Sequence, residues 1–213
     1  MTGNIVLMRV IRGLTLVLAV ALAPTVASAA DMLPATEDIL ADRVLGKADA
    51  PVTLIEYASL TCPHCATFAK ETLPTIKKEY VDTGKVKLIY RDYPLDGVAL
   101  RAAMMARCAP KDRYYGLVET LFRTQETWAR ASDPVAALQR LGAVAGLSKE
   151  SFDACLANKE IFDSIVSMRG KAEQEFKVNS TPSFVINGTK MIGDLSVGEF
   201  RKALDAAAAV KSK

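Results

Sequence analysis

The first part of the chain alternates between strand-like and helix-like spacing of its apolar residues. Residues 52–57 form an apolar, partly β-branched run that predicts a strand, and residues 86–90 predict a second strand, closed by Arg91-Asp-Tyr-Pro94. Between these runs, four apolar residues recur at helical spacing, with lysine and glutamate on the other faces: Ala69, Leu73, Ile76 and Tyr80. The pattern therefore predicts a strand, a helix and a second strand.

A long middle region then carries only the helical pattern, from residue 98 to about residue 177. Asp133-Pro134 and Ser148 predict helix starts within it. One stripe of residues at helical spacing is predicted to face the core: Tyr114, Leu117, Val118, Leu121 and Phe122. Half of the whole sequence is apolar, which is ample for a hydrophobic core.

Strand-type sequence returns near the end of the chain. Residues 183–186 predict a strand, and Asn187-Gly188 predicts a tight turn into another strand over residues 190–192. A last helix is predicted to begin at Ser196, because Glu199 follows three positions later and completes a capping box.

Two cysteines lie where the first strand gives way to the first helix, in the sequence Cys62-Pro63-His64-Cys65. The unpaired N–H groups and the dipole at a helix start favour a thiolate at Cys62. Pro63 suits the first helical turn, and His64 can place positive charge nearby. These effects lower the pKa of the Cys62 thiol and favour the reduced pair, so its disulfide is predicted to be given away readily.

Other roles for this cysteine pair remain as alternatives. Haem attachment requires a histidine directly after the second cysteine, but Ala66 follows. A zinc site requires four ligands, and His64 is the only histidine of the chain, while Cys108 and Cys155 stand apart from each other. A metal half-site or an inert loop is therefore less favoured than a redox pair, which needs no metal and no organic cofactor.

Residues 1–29 are predicted to be a secretory signal peptide. Arg9 and Arg12 precede an apolar run over residues 14–23, and Ala27-Ser-Ala29 supplies small residues for cleavage. A membrane anchor is the alternative, although the apolar run is short for a bilayer span. The expected location is the periplasm.

Charge and compartment affect two further expectations. The net charge of the whole chain is only +3, so no nucleic-acid partner is expected. Because disulfides persist outside the cytoplasm, Cys108 and Cys155 are predicted to form a structural disulfide, with two buried free thiols as the alternative.

Three elements of the sequence resemble the DsbA-like thiol-disulfide oxidoreductases of the thioredoxin superfamily. They are the run from Gly46 to Glu56, the motif Thr61-Cys-Pro-His-Cys65 and the segment Ser180-Thr-Pro-Ser-Phe184. The resemblance implies an α/β thioredoxin fold with an inserted all-helical domain. The expected division is a thioredoxin-like domain at residues 30–96 and 178–213, with the inserted helical domain at residues 97–177.

The resemblance also assigns roles around the cysteine pair. It implies that Pro182 follows a cis peptide bond and lies beside the pair, where the backbone of Thr181 can pair with an extended substrate; an ordinary loop proline is the alternative. It places Glu56 under the active site, assisting proton transfer to or from Cys65. The alternative is a solvated strand residue.

These expectations together predict a monomeric dithiol oxidase of reduced, unfolded exported proteins. The resemblance implies reoxidation by a quinone-linked membrane partner of the DsbB type. Thr181 departs from the valine that many oxidases carry before the proline, so a disulfide isomerase or reductase is the alternative. A chaperone or metal-binding module with the same fold is an alternative of a different class.

Overall fold

Five strands of the described residues form one mixed sheet. The computed structural model describes residues 33–193 and 195–211. The strands are β1 (Val44–Leu45), β2 (Val52–Ala58), β3 (Val86–Asp92), β4 (Ser183–Ile186) and β5 (Thr189–Ile192). They are ordered β1-β3-β2-β4-β5, and only β2 and β3 run parallel among these neighbours. The predicted signal peptide, residues 1–29, lies outside the described residues.

Helices cover both faces of the sheet. They are α1 (Thr36–Leu40), α2 (Pro63–Thr67), α3 (Leu73–Ile76), α4 (Gly97–Cys108), α5 (Tyr114–Arg123), α6 (Gln125–Ala129), α7 (Pro134–Val144), α8 (Lys149–Ala157), α9 (Lys159–Phe176) and α10 (Val197–Lys211). The first helix predicted from the sequence is one helical run in the structure, but it widens into π-helical turns at Phe68–Thr72 and Lys77–Val81. Pro74 has no N–H to donate to the backbone oxygen of Lys70, because its nitrogen is part of the ring. This accounts for the π-helical turn at Phe68–Thr72, which precedes Pro74.

Alternation along β2 sends its side chains to two different layers. Val52 and Leu54 pack with Phe68 from the helical run and with Phe200 from α10. On the opposite face, Tyr57 packs with residues of α9 and of the segment that follows it, Ala172 and Val178.

The middle region folds as six α-helices and a short 3-10 turn, and no strand occurs between residues 97 and 177 of the described structure. The predicted helix starts are confirmed: the Asp133 side chain accepts a hydrogen bond from Ala136 N, and the Ser148 side chain accepts one from Ser151 N. The division into two domains stays a prediction, because one continuous cluster of buried residues contains both Cys65 and Trp128.

Strand β3 is longer than its sequence predicts. The expected end after Tyr90 is wrong, since Arg91 and Asp92 continue the parallel pairing with β2. Asp92 can remain in the buried strand because Arg107 of α4 forms an ion pair with it, and the two side chains are 2% and 0% exposed.

Two elements near the start of the described chain were not predicted. They are α1 and β1, which have five and two residues. Within the residues that the structure covers, no helix is both long and apolar enough to cross a bilayer.

Candidate active site

The cysteine pair lies where β2 leads into α2. Cys62 is the residue before the helix, in extended conformation, and Pro63 occupies the first helical turn as predicted. Both thiols are free in this structure, which therefore shows the reduced pair. Cys62 is 5% exposed and Cys65 is 0% exposed, so only Cys62 retains contact with solvent.

The two thiols differ in acidity, because the pKa of Cys62 is lowered and the pKa of Cys65 is raised. The hydrogen bond from the Cys65 side chain, supported by the N–H groups of Cys65 and His64, lowers the pKa of Cys62 to about 5 despite partial burial. Burial and the hydrogen bond to Cys62 raise the pKa of Cys65. At neutral pH the reduced pair therefore holds one thiolate, on Cys62, beside one thiol.

This arrangement corrects one detail of the sequence argument. The neighbouring thiol of Cys65 is the largest cause of the lowered pKa of Cys62, and His64 contributes through its backbone N–H. The helix start supplies the N–H groups as expected, but the second cysteine itself is the main partner.

Glu56 lies on the buried face of β2 and is 2% exposed. Burial, followed by the charge of Cys62, raises the pKa of its carboxyl to about 8. Its Oε1 atom has no hydrogen-bond partner among the described residues. The side chain is thus a buried carboxylic acid, rather than a solvated residue at a strand end.

The segment before β4 also contacts the cysteine pair. The peptide bond between Thr181 and Pro182 is cis. The backbone oxygen of Thr181 lies 3.4 Å from Cys62 Sγ and accepts a hydrogen bond from the thiol when Cys62 is protonated. The structure therefore brings together residues 119 positions apart in the chain.

Two polar side chains that sequence reasoning missed support the active-site loop. Gln125 of α6 is buried and donates hydrogen bonds from Nε2 to the backbone oxygens of Leu60, at 2.8 Å, and Cys62, at 3.0 Å. Thr61 donates from Oγ1 to Asp96 Oδ2 at 2.7 Å. Asp96 also caps the start of α4, because its side chain accepts hydrogen bonds from Val98 N and Ala99 N, and nothing in the sequence indicates the role of Gln125.

Cys108 and Cys155 are joined by a disulfide, with their Cα atoms 6.3 Å apart. The bond connects the last residue of α4 to the last turn of α8, and both residues are buried. Arg107, the residue directly before Cys108, forms the buried ion pair with Asp92.

The described residues contain no group of three or more histidine, cysteine, aspartate or glutamate side chains that could hold a metal ion. Cys62, Cys65 and Glu56 therefore lie close together without the usual ligand set of a metal centre. The chemistry available to this site is thiol exchange coupled to movement of a proton.

Known proteins are similar to this chain over most of the described residues. Residues 39–206 match a family model described as thioredoxin. A Rickettsia typhi protein named as a protein-disulfide oxidoreductase is 30% identical over 167 residues, covering 78% of this chain and 62% of that protein. A Rickettsia conorii protein of the same name is 31% identical, covering 78% of this chain and 60% of that protein. The chain thus spans about three fifths of the length of these relatives.

Solved structures give the same result for the fold. The crystal structure of alpha-DsbA1 from Wolbachia pipientis is 32% identical, with a TM-score of 0.74, covering 87% of this chain and 98% of that chain. The predicted thioredoxin fold with a helical insertion is confirmed by this match together with the sheet order. This protein belongs to the DsbA-like thiol-disulfide oxidoreductase family of the thioredoxin superfamily.

Proposed function

We propose that this protein oxidises reduced, unfolded proteins in the periplasm by donating its Cys62–Cys65 disulfide to them. The observation that carries the proposal is the unequal pair of thiols, with the pKa of Cys62 lowered to about 5 and the pKa of Cys65 raised. The names of the Rickettsia relatives support the same class of activity.

The first step is attack of a substrate thiolate on Cys62 Sγ of the oxidised protein. The Cys62–Cys65 bond breaks, and Cys65 leaves with the bonding electrons and takes a proton from the Glu56 carboxyl. A mixed disulfide then joins Cys62 to the substrate. A second substrate thiolate attacks the substrate sulfur of that bond, and Cys62 leaves as a thiolate.

The acid strength of Cys62 sets the direction of this exchange. An ordinary thiol is protonated at pH 7, so only the two pH units between 5 and 7 favour the reduced pair. This corresponds to at most about 3 kcal/mol, or about 60 mV. The reduced form is favoured, and the disulfide is therefore a good oxidant.

Substrate binding would use the edge beside the cis peptide bond. Thr181 is next to Cys62, and its backbone can pair with an extended substrate segment at that point. Unfolded chains offer such segments, which supports them as the substrate class. The proposal has three further parts. The pair is reoxidised by a quinone-linked membrane partner of the DsbB type. The protein is monomeric, and it is exported through residues 1–29.

One observation favours a second candidate, a disulfide isomerase or reductase. Thr181 precedes the cis proline, and a hydrogen bond from its side chain contributes to the lowered pKa of Cys62. That side chain lies where a dedicated oxidase would often carry valine. A threonine at this position is therefore expected to slow the release of substrate from its mixed disulfide with Cys62.

A direct comparison of rates tests these two candidates. The purified oxidised protein is mixed with a reduced, unfolded protein, and the reduced protein is separately mixed with a scrambled substrate. We expect rapid oxidation of the first substrate and slow rearrangement of the second, because a weakly basic thiolate is a poor nucleophile. Rearrangement faster than oxidation would assign the protein as an isomerase.

A further inference from the structure

The guanidinium group of Arg107 is fully buried, and its three nitrogens have unequal partners. Nε pairs with the carboxylate of Asp92. Nη1 donates to backbone oxygens at the end of α1, at 3.3 Å to Ile39 and 3.4 Å to Ala41. Nη2 donates to Met168 Sδ of α9 at 3.7 Å, and this sulfur is its hydrogen-bond partner among the described residues. A thioether is a weak acceptor, so one charged nitrogen of a buried group lacks a strong one.

The side chain of Met168 is reached from solvent through a cavity of about 470 Å³. The cavity lies between α1, strands β2 and β3 and helix α9, where Met168 lines it together with Tyr57 and Arg91. Its rim contains the exposed residues Asp42 and Lys171. A molecule as small as water or hydrogen peroxide has room to enter and contact this side chain.

The other described methionines have different surroundings. Met104 and Met105 of α4 are 1% and 0% exposed. Met191 of β5 is partly buried against the core, and no described residue donates a hydrogen bond to its sulfur. Among the described methionines, Met168 is therefore the one whose sulfur faces a buried cation.

The distance between this sulfur and the cation suits an added oxygen atom. In a methionine sulfoxide bonded to a guanidinium, an S–O bond of about 1.5 Å and an N···O distance of about 2.8 Å meet at about 120°, which holds sulfur and nitrogen about 3.8 Å apart. Met168 Sδ and Arg107 Nη2 are already 3.7 Å apart. Because the methionine side chain is flexible, it can turn the oxygen toward Arg107 without a shift of α4 or α9.

We propose that Met168 is an oxidation site whose sulfoxide completes the hydrogen bonding of Arg107. The oxidant is a peroxide. The Met168 sulfur gives a lone pair to one oxygen of hydrogen peroxide, the O–O bond breaks, and the departing hydroxide takes the proton of the transferred hydroxyl to become water. The sulfur is oxidised by two electrons, and the peroxide is reduced.

This modification should stabilise the fold, although oxidation of a methionine usually disrupts a protein core. The new oxygen accepts from a charged N–H more strongly than the sulfur did. The open cavity beside Met168 leaves room for the added atom. Since Arg107 holds both the end of α1 and Asp92 of β3, a stronger bond to Arg107 strengthens the attachment of these two elements to α9.

The test uses the purified protein with both disulfides formed, so that none of its four cysteines is free to react with peroxide. Peptide mapping by mass spectrometry follows each methionine during treatment with hydrogen peroxide. We expect Met168 to gain one oxygen atom well before the buried Met104 and Met105. The midpoint of thermal unfolding should then rise by about 2–4 °C, as a modest stabilisation does for a chain of this size.

Two substitutions at the same position separate the effect of the oxygen from other effects of peroxide. Met168→Gln supplies an amide oxygen in place of the sulfoxide oxygen and should reach the raised midpoint without peroxide. Met168→Leu keeps the apolar volume but removes the acceptor, so it should unfold at a lower temperature than the unmodified protein and show no rise with peroxide. Met191→Leu is the matched control, in which peroxide should raise the midpoint as in the unmodified protein.

A midpoint that stays level or falls once Met168 carries the oxygen would overturn the inference. Oxidation of Met168 no faster than that of Met104 in the folded protein would do the same, as would a Met168→Gln variant that unfolds at or below the temperature of Met168→Leu. None of these readouts uses the oxidation of substrate proteins, so the inference and the proposed function can fail independently.

Discussion

Cys62 and Cys65 are separated by two residues at the start of a helix, whereas Cys108 and Cys155 are 47 residues apart and join α4 to α8. All four are buried, with exposures of 5% or less. Burial alone therefore does not distinguish a reactive pair from a structural one.

The surroundings of the two pairs make the difference. Backbone N–H groups at a helix start and the Cys65 thiol stabilise a charged sulfur at Cys62. The Cys108–Cys155 disulfide lies in the same cluster of buried residues, but its cysteines stand at the last residue of α4 and in the last turn of α8 rather than at a helix start. The first pair is therefore suited to exchange, and the second to holding helices together.

The largest expected effect is the loss of activity when the reactive pair is broken. Cys62→Ala removes the sulfur that a substrate attacks, so oxidation of a reduced protein should fall to the uncatalysed background. Cys65→Ala cannot form the disulfide either, but its Cys62 thiolate can attack a disulfide of an oxidised substrate, from which one substrate cysteine leaves as a thiolate; the mixed disulfide should then accumulate, because no Cys65 thiol is present to displace the substrate. Mass spectrometry of the reaction mixture distinguishes the two variants. Residual turnover by Cys62→Ala would contradict the assignment of the nucleophile.

Breaking the other pair should cost stability and not activity. The double variant Cys108→Ala, Cys155→Ala opens a loop closed over 47 residues, so the free energy of unfolding should fall by about 2–4 kcal/mol. Denaturant titration measures this loss, and the oxidation rate of the same variant should stay unchanged. A rate that falls together with stability would show that the two pairs are coupled.

The redox state of the reactive pair should change stability in a pH-dependent way. The pKa of Cys62 is lower in the folded protein, about 5, than the ordinary value of 9.0. The thiolate therefore stabilises the reduced fold fully above pH 9, and this contribution disappears as pH falls through 5. At pH 7 the reduced form should be more stable by up to about 3 kcal/mol.

Denaturant titrations of both redox forms between pH 5 and pH 9 measure this difference. The Cys108–Cys155 disulfide is kept intact in both, so that only the reactive pair changes. Equal midpoints for the two forms at pH 7 would show that the fold does not favour the Cys62 thiolate.

The smallest expected effect concerns the contact between the helical region and the active-site loop. Gln125→Leu leaves the backbone oxygens of Leu60 and Cys62 without their side-chain donor, which should cost about 1–2 kcal/mol. The matched control is Gln174→Leu on the exposed side of α9. We also expect a small upward shift of the pH at which Cys62 becomes alkylated. Identical behaviour of both variants would remove Gln125 from the support of the loop.

The reactive pair was readable from the sequence because its chemistry is local. A strand, two cysteines, an intervening proline and a helical pattern are contiguous in residues 52–80. The pairing of Cys108 with Cys155 needed the additional assumption of an oxidising compartment. The placement of Pro182 beside Cys62 came from family resemblance, since no local pattern joins residues so far apart.

Several features that escaped prediction depend on how the helical region packs on the sheet. The hydrogen bonds of Gln125 and the ion pair of Arg107 with Asp92 join segments distant in sequence. Strand β1 was missed for a different reason, because two residues are too few to establish an alternation.

The most direct test of the account is the reduction potential of the Cys62–Cys65 pair, measured by equilibration with glutathione buffers. The lowered pKa of Cys62 predicts an oxidising pair, with a potential more positive than about −180 mV, towards the range of strong dithiol oxidants. The pair should then be mostly reduced even where oxidised glutathione is plentiful. A potential near about −270 mV, as in reducing thioredoxins, would contradict the proposed oxidase.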